Sequence, residues 1–269
     1  MQIIDRGSGP PLVVIPTLHG RWEYVQPAVD ALSAFFRVLT FSLCDEPSSG
    51  AHYDPRRGLD SYVDHVQAVL EEKRLRRAVI CGISFGGLIA ARFAGTHPES
   101  TVALVLVSTP ASGMRLRRRH QLYLRAPWIL GPLLLAESPW RLRPEVRLAL
   151  PDVEERRRFS RTMLKTLVVR PVSPARMAVR ARLLTQANIR PDCERITAPT
   201  LIVTGEPGCD YVVPVSGSSE YARLIPEAQS VVLERTGHLG SITRPEAFAE
   251  IIRAFVATDG RVRWPDAAA

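Results

Sequence analysis

The sequence predicts an α/β fold: a doubly wound, mostly parallel β-sheet flanked by helices, with a helical insertion midway along the chain. Three observations predict it. Short β-branched runs alternate with longer helical patterns. The runs are continuously apolar rather than alternating, as strands covered on both faces are. The alternation then stops between Pro110 and Pro199, where Arg, Leu and Pro dominate.

Taken in order, the expected strands are Leu12–Pro16, Arg37–Leu43, Ala78–Gly82, Val102–Ser108, Thr200–Gly205 and Ser230–Glu234. Helical patterns lie between and after them at Glu23–Phe35, Leu59–Arg74, Phe85–His97, Val215–Leu224 and Pro245–Thr258. The last has Pro in its first turn and Thr243 as a candidate cap. Strand–helix–strand order implies right-handed crossovers. The stretch without strands reads as short helices at Met114–Leu124, Glu154–Val168 and Pro174–Ile189, the last capped by Ser173. The expected division is a core of residues 1–110 and 191–269 with an inserted helical segment, residues 111–190.

With 46% hydrophobic and 23% charged residues, the 269-residue chain has the profile of an ordinary globule. Disorder is expected only in the tail, residues 259–269. No apolar run is long enough to span a bilayer, and the first residues lack the basic-then-apolar order of a secretory leader. A cytoplasmic location without stable membrane insertion is expected. Cys44, Cys81, Cys193 and Cys209 form no CxxC pair and read as reduced thiols, Cys81 as a buried one. No His, Cys or carboxylate spacing suits a metal, and no cofactor is expected.

The most informative stretch is Gly82-Ile83-Ser84-Phe85-Gly86, a G-x-S-x-G placed directly after an apolar strand and before a helical pattern. A sharp strand-to-helix turn holds a serine at its apex only if the residues two before and two after are nearly free of side chain. The serine oxygen then stands over the C-terminal edge of the sheet. The first N–H groups of the following helix face developing negative charge.

From about Leu12 to Val256 the chain resembles the α/β-hydrolase fold family, with the insertion in the usual cap position. Residues 198–214 are similar to that family's strand and acid loop, which implies Asp210 as the acid. Glu234-Arg-Thr-Gly-His238 is similar to the loop carrying the base, and the order Ser, Asp, His is the one this fold uses. The implied triad is Ser84, Asp210 and His238. Glu206 lies on the acid's loop as an alternative, and Asp45 resembles the family's structural acid after an earlier strand.

The implied oxyanion hole uses the backbone N–H of Phe85 and one on the loop after the first strand. That loop departs from the family's usual His-Gly: Pro16-Thr17-Leu18 follows the strand and His19-Gly20 comes later. One register makes Leu18 the donor and leaves a normal distance to the next helix. The other makes Arg21 the donor and crowds the loop. The first is preferred. Of the other histidines, His97 reads as structural, and His52, His65 and His120 read as solvated.

The resemblance implies a serine hydrolase that cleaves a small or medium carboxylic ester, lactone or thioester through an acyl-enzyme on Ser84. The alternatives are a C–C bond (diketone) hydrolase and a slow-turnover ligand sensor. Residues 111–190 hold 18 Lys and Arg against 5 Asp and Glu. These arginines are either solvated faces of amphipathic helices or a basic surface for an anionic substrate or an acidic carrier protein. No nucleic-acid reader accompanies the charge. Trp128 and Leu130–Leu135 are expected on the insertion's inner face, around an apolar pocket.

Overall fold

The apolar runs pack as one seven-stranded sheet in the computed structural model, which describes residues 1–259 and 262. Its strands are β1 (Ile3–Arg6), β2 (Pro11–Ile15), β3 (Arg37–Phe41), β4 (Ala78–Ile83), β5 (Thr101–Val107), β6 (Thr200–Thr204) and β7 (Gln229–Val232). Their order is β1-β3-β2-β4-β5-β6-β7. β1 is antiparallel to β3 and every other pair is parallel. The expected doubly wound, mostly parallel sheet is therefore what the chain builds. β1 was not expected, because its sequence IIDR lies on a half-exposed edge and carries no buried apolar run.

The early helices are α1 (Gln26–Leu32), α2 (Leu59–Glu72) and α3 (Phe85–Thr96). Those of the insertion are α4 (Arg118–Arg125), α5 (Pro127–Ala149), α6 (Val153–Val169) and α7 (Pro174–Gln186). There follow α8 (Arg190–Cys193), α9 (Val215–Ser219), α10 (Tyr221–Leu224), α11 (Gly240–Thr243) and α12 (Pro245–Thr258). Successive side chains of a strand point to opposite faces, and β2 divides accordingly. Leu12 and Val14 join Val29, Phe248 and Ile252 from α1 and α12. Val13 and Ile15 join Val66, Leu88 and Ile89 from α2 and α3. The strand order reverses between β2 and β4, so the loops leaving their C-terminal ends border the crevice where such sheets hold ligands.

Several expectations need correction. Thr243 does not cap α12: it ends α11 and its hydroxyl donates to the Leu239 carbonyl at 3.0 Å. The first helix is split, a 3-10 turn over Trp22–Val25 preceding α1, whose second residue is Pro27. Val215–Leu224 is two short helices rather than one. Met114 to Arg117 lies outside α4. The largest miss is α5, which runs through Pro132, Pro139 and Pro144. Each proline removes one helical hydrogen bond, and packing against α4, α7 and α11 holds the helix despite them. Ser173, as expected, caps α7 by accepting from the Arg176 N–H. The tail expectation falls largely outside the described residues. No described helix is long and apolar enough to cross a membrane.

Candidate active site

The elbow after β4 puts Ser84 at φ 54°, ψ −117°, a conformation that non-glycine residues rarely hold. Such strain costs about 1–3 kcal/mol and persists only where surroundings over-determine it. Here they do. The Ser84 N–H donates to the Val107 carbonyl at the end of β5 at 2.8 Å, and the Ser84 carbonyl accepts from the Gly87 N–H at 2.9 Å. A Cβ on Gly82 would collide with Gly86, and one on Gly86 with the Ile15 and Pro16 carbonyls. The two glycines thus let the turn close against the end of β2.

The loops after β6 and β7 bring the other two residues to the serine. His238 Nε2 lies 3.1 Å from Ser84 Oγ, and His238 Nδ1 lies 3.0 Å from Asp210 Oδ2. Asp210 Oδ1 accepts from the N–H groups of Val212 (2.8 Å) and Val213 (2.7 Å), so the carboxylate is fixed at both oxygens. Gly237 passes so close to the Cys209 carbonyl that a side chain there would separate the loops. Glu206 points elsewhere, accepting from the Arg235 N–H at 2.6 Å. Burial pulls the His238 pKa down, but the charge and hydrogen bond of Asp210, helped by Glu145, raise it above the ordinary histidine value.

The loop after β2 is a tight turn. The Thr17 carbonyl accepts from the Gly20 N–H at 2.9 Å. The N–H and C=O of a trans peptide point in opposite directions, so the Leu18 N–H, on the same peptide, is directed out of the turn. The Gly20 carbonyl accepts from the Leu43 N–H at 2.7 Å, and Arg21 pairs with Glu23 at 3.1 Å. Arg180, fully buried on α7, holds this loop by donating to the Leu18 carbonyl at 3.0 Å. Its guanidinium also pairs with Asp45 at 2.8 Å and Glu46 at 2.5 Å. His19 stacks on Tyr24, and burial, with the Arg180 and His238 charges, lowers its pKa to about 4.

A second residue from the insertion reaches the loop that carries His238. Glu145 on α5 is buried, and its Oε1 accepts the N–H of Gly237 at 3.1 Å and the N–H of Leu239. Its Oε2 is buried without a hydrogen-bond partner among the described residues. Burial pushes its pKa up to about 7 against the opposing pull of those N–H groups and of His238. Above Ser84 and His238 lies a cavity of about 960 Å³, walled by Leu18, Leu134, Leu142, Val146, Leu164 and Ile242 among others. Eight arginines also line it, Arg115, Arg117, Arg141, Arg143, Arg147, Arg156, Arg157 and Arg161, and no Asp or Glu is among the described lining residues. Among the described residues no cluster of His, Cys, Asp or Glu could hold a metal.

A sequence model of the alpha/beta hydrolase family matches residues 13–251. The chain belongs to the alpha/beta hydrolase family. This hydrolase is 27% identical over 268 residues to the pimeloyl-[acyl-carrier protein] methyl ester esterase of Nitrosomonas europaea, covering 94% of this chain and 98% of that one. The enol-lactonase from Burkholderia xenovorans LB400 has a similar fold, with a TM-score of 0.73 at 21% identity over 95% of this chain and 96% of that one. So has MGS-M2, an alpha/beta hydrolase from a Medee basin deep-sea metagenome library, with a TM-score of 0.79 at 18% identity, covering 99% and 96%.

In this hydrolase the sequence-predicted Ser84, Asp210 and His238 come together, while other expectations fail. His65 is buried against Phe41, its rings 4.4 Å apart, and burial lowers its pKa to about 4. His120 is half-buried beside Arg141 rather than solvated. His97 is structural as expected, stacked on Phe93. Trp128 is 72% exposed and Leu133 60% exposed, so only part of the expected apolar stretch, Leu134 and Leu135, faces the cavity. Arg180 and Glu145 were missed. The available signal was weak: Arg180 stands among the apolar residues Met177, Ala178, Ala181 and Leu184, and Glu145 is a rare acid in a basic block.

Proposed function

We propose that this hydrolase cleaves a small or medium carboxylic ester, lactone or thioester through an acyl-enzyme on Ser84. The observation that carries the reading is the continuous hydrogen-bonded chain from Ser84 Oγ through His238 to Asp210, at the floor of an apolar cavity. Ser84 Oγ attacks the acyl carbon while His238 Nε2 takes its proton, and Asp210 stabilises the resulting imidazolium. The tetrahedral oxyanion accepts from the N–H groups of Phe85 and Leu18. Collapse expels the alcohol or thiol, which takes the proton from His238. Water then attacks the acyl-enzyme with His238 again as base, releasing the acid and restoring Ser84.

Residues 111–190 act as a cap that selects the substrate. Eight arginines line the cavity, of which Arg157 and Arg161 share Glu154 as a partner, and this excess of positive charge favours an anionic substrate or an acidic carrier protein over a neutral one. The relative from Nitrosomonas europaea is named for an acyl-carrier-protein ester. Free thiols at all four cysteines favour a reducing compartment, the cytoplasm.

The test is a panel of p-nitrophenyl esters, lactones and thioesters, neutral and anionic. Ser84→Ala is expected to lower kcat by about 10⁴-fold or more. An organophosphate is expected to modify Ser84 and stop turnover. Retained hydrolysis in Ser84→Ala would overturn the reading. Turnover of diketones alone would replace it with C–C cleavage, and single-turnover labelling alone with a sensor.

A further inference from the structure

The hydrogen bonds of Glu145 do not explain its charge. Two backbone N–H groups could be satisfied by a neutral acceptor, yet the structure buries a carboxylate, which is costly unless something nearby gains from it. Among the described residues its second oxygen has no hydrogen-bond partner to offset that cost. The opposite charge that can form beside it is on His238, the residue between the two N–H donors it holds.

We infer that Glu145 is a positioning residue for the catalytic base: it clamps the loop on both sides of His238, and its charge, delivered from the cap, favours the imidazolium that forms when Ser84 is deprotonated. The inference rests on the hydrolase reading above. It makes the full strength of the base depend on the contact between α5 and the loop that carries His238. Asp210 fixes the imidazole's tautomer through a direct bond, whereas Glu145 acts through the backbone and through its charge alone.

The groups around this carboxyl are few. His238 and Asp210 face it from the core loops, with Cys209 beside them on the acid loop. Of the elements packed on α5, α4 brings Arg119, which pairs with Glu137, and His120, which lies against Arg141. α7 brings Arg180, which is committed to Asp45 and Glu46. α11 carries no titratable side chain. Arg141, one turn back on α5, opposes protonation of His238. Burial raises the Glu145 pKa to about 7, and Asp210, working against burial, raises that of His238 above the ordinary histidine value, so the protonation of either group bears on the other.

Glu145→Gln keeps an acceptor for both N–H groups and removes only the charge, so it separates positioning from simple support. In wild type the acid limb of log kcat/KM against pH is expected to be steeper than one proton, and in Glu145→Gln to have the slope of one proton with a lower midpoint. Glu145→Gln is expected to lower kcat about tenfold with little change in KM, and Glu145→Ala to lower it further. A purely structural clamp would be fully rescued by Gln. A second readout needs no turnover: the His238 titration followed by NMR in Ser84→Ala is expected to fall by about half a pH unit when Glu145→Gln is added. An unchanged His238 midpoint overturns the inference, and so does an identical acid limb. Failure of the hydrolase reading shows separately, as turnover that survives Ser84→Ala, and leaves the NMR titration readable.

Discussion

Arg180 and Glu145 both reach from the insertion into the core, and both are buried, yet their charges are met in opposite ways. Arg180 on α7 finds two carboxylates and a carbonyl, so its guanidinium donates to Asp45, Glu46 and Leu18. Glu145 on α5 finds two backbone N–H groups for one oxygen and, among the described residues, no hydrogen-bond partner for the other. The first anchor holds the loop after β2, which offers Leu18. The second holds the loop after β7, which carries His238. A compensated buried charge resists removal, whereas an under-compensated one is a source of tension. The insertion therefore grips one side of the site by stability and the other at the expense of stability.

Arg180→Met is the strongest way to break this contrast. Removing the guanidinium leaves Asp45 and Glu46 buried without their cation, which costs about 3–5 kcal/mol. For a chain of this size the midpoint of thermal unfolding is expected to fall on the order of 10 °C. Neutralising the acids as well, in Arg180→Met/Asp45→Asn/Glu46→Gln, is expected to recover most of the loss without restoring kcat, because Leu18 is still released. Thermal unfolding of the single variant within 3 °C of wild type would show that the pair is not the anchor its burial implies.

Gly20→Ala tests the same side by another route. Gly20 has φ +79°, and an added Cβ would run into the Arg180 guanidinium. The substitution is expected to cost about 2–3 kcal/mol, from backbone strain and from displacement of the arginine. In the Arg180→Met background the cost should shrink toward the strain alone, a coupling that denaturant titration of the double-mutant cycle would reveal. Additive losses would mean that the loop and the guanidinium do not share a position.

How much of this was legible in the sequence follows the same division. Strands β2 to β6 were readable because each is a largely buried apolar run, and the exposed edge strand β7 was reached through the short apolar run Val231–Leu233, whereas the edge strand β1 carries no such run. Ser84 was readable because the elbow demands glycines at fixed offsets, a requirement written in adjacent residues. Asp210 and His238 were reached through resemblance, since nothing local in Cys209-Asp210 or Gly237-His238 states that they meet. Helix α5 was hidden by prolines that count as breakers locally and are overruled by packing. Arg180 and Glu145 were invisible for a related reason: their partners lie 135 and 92 residues away, and only the folded chain brings them together.

The smallest expected effect is the most discriminating. The Glu145 pKa is raised by burial to about 7, so the folded state holds a proton there that the unfolded chain releases at lower pH. A raised carboxyl contributes its stability below the unfolded value and loses it as pH rises through the folded one. Glutamine does not titrate. Glu145→Gln should therefore match wild type near pH 4, gain on it as pH rises from about 5 to 7, and hold an advantage of about 2 kcal/mol at pH 8. Chemical denaturation at both pH values measures the gap. Equal stability of Glu145→Gln and wild type at both pH values would show that the buried charge costs the fold nothing. A gain in stability accompanied by a fall in kcat is what a charge kept for the base requires.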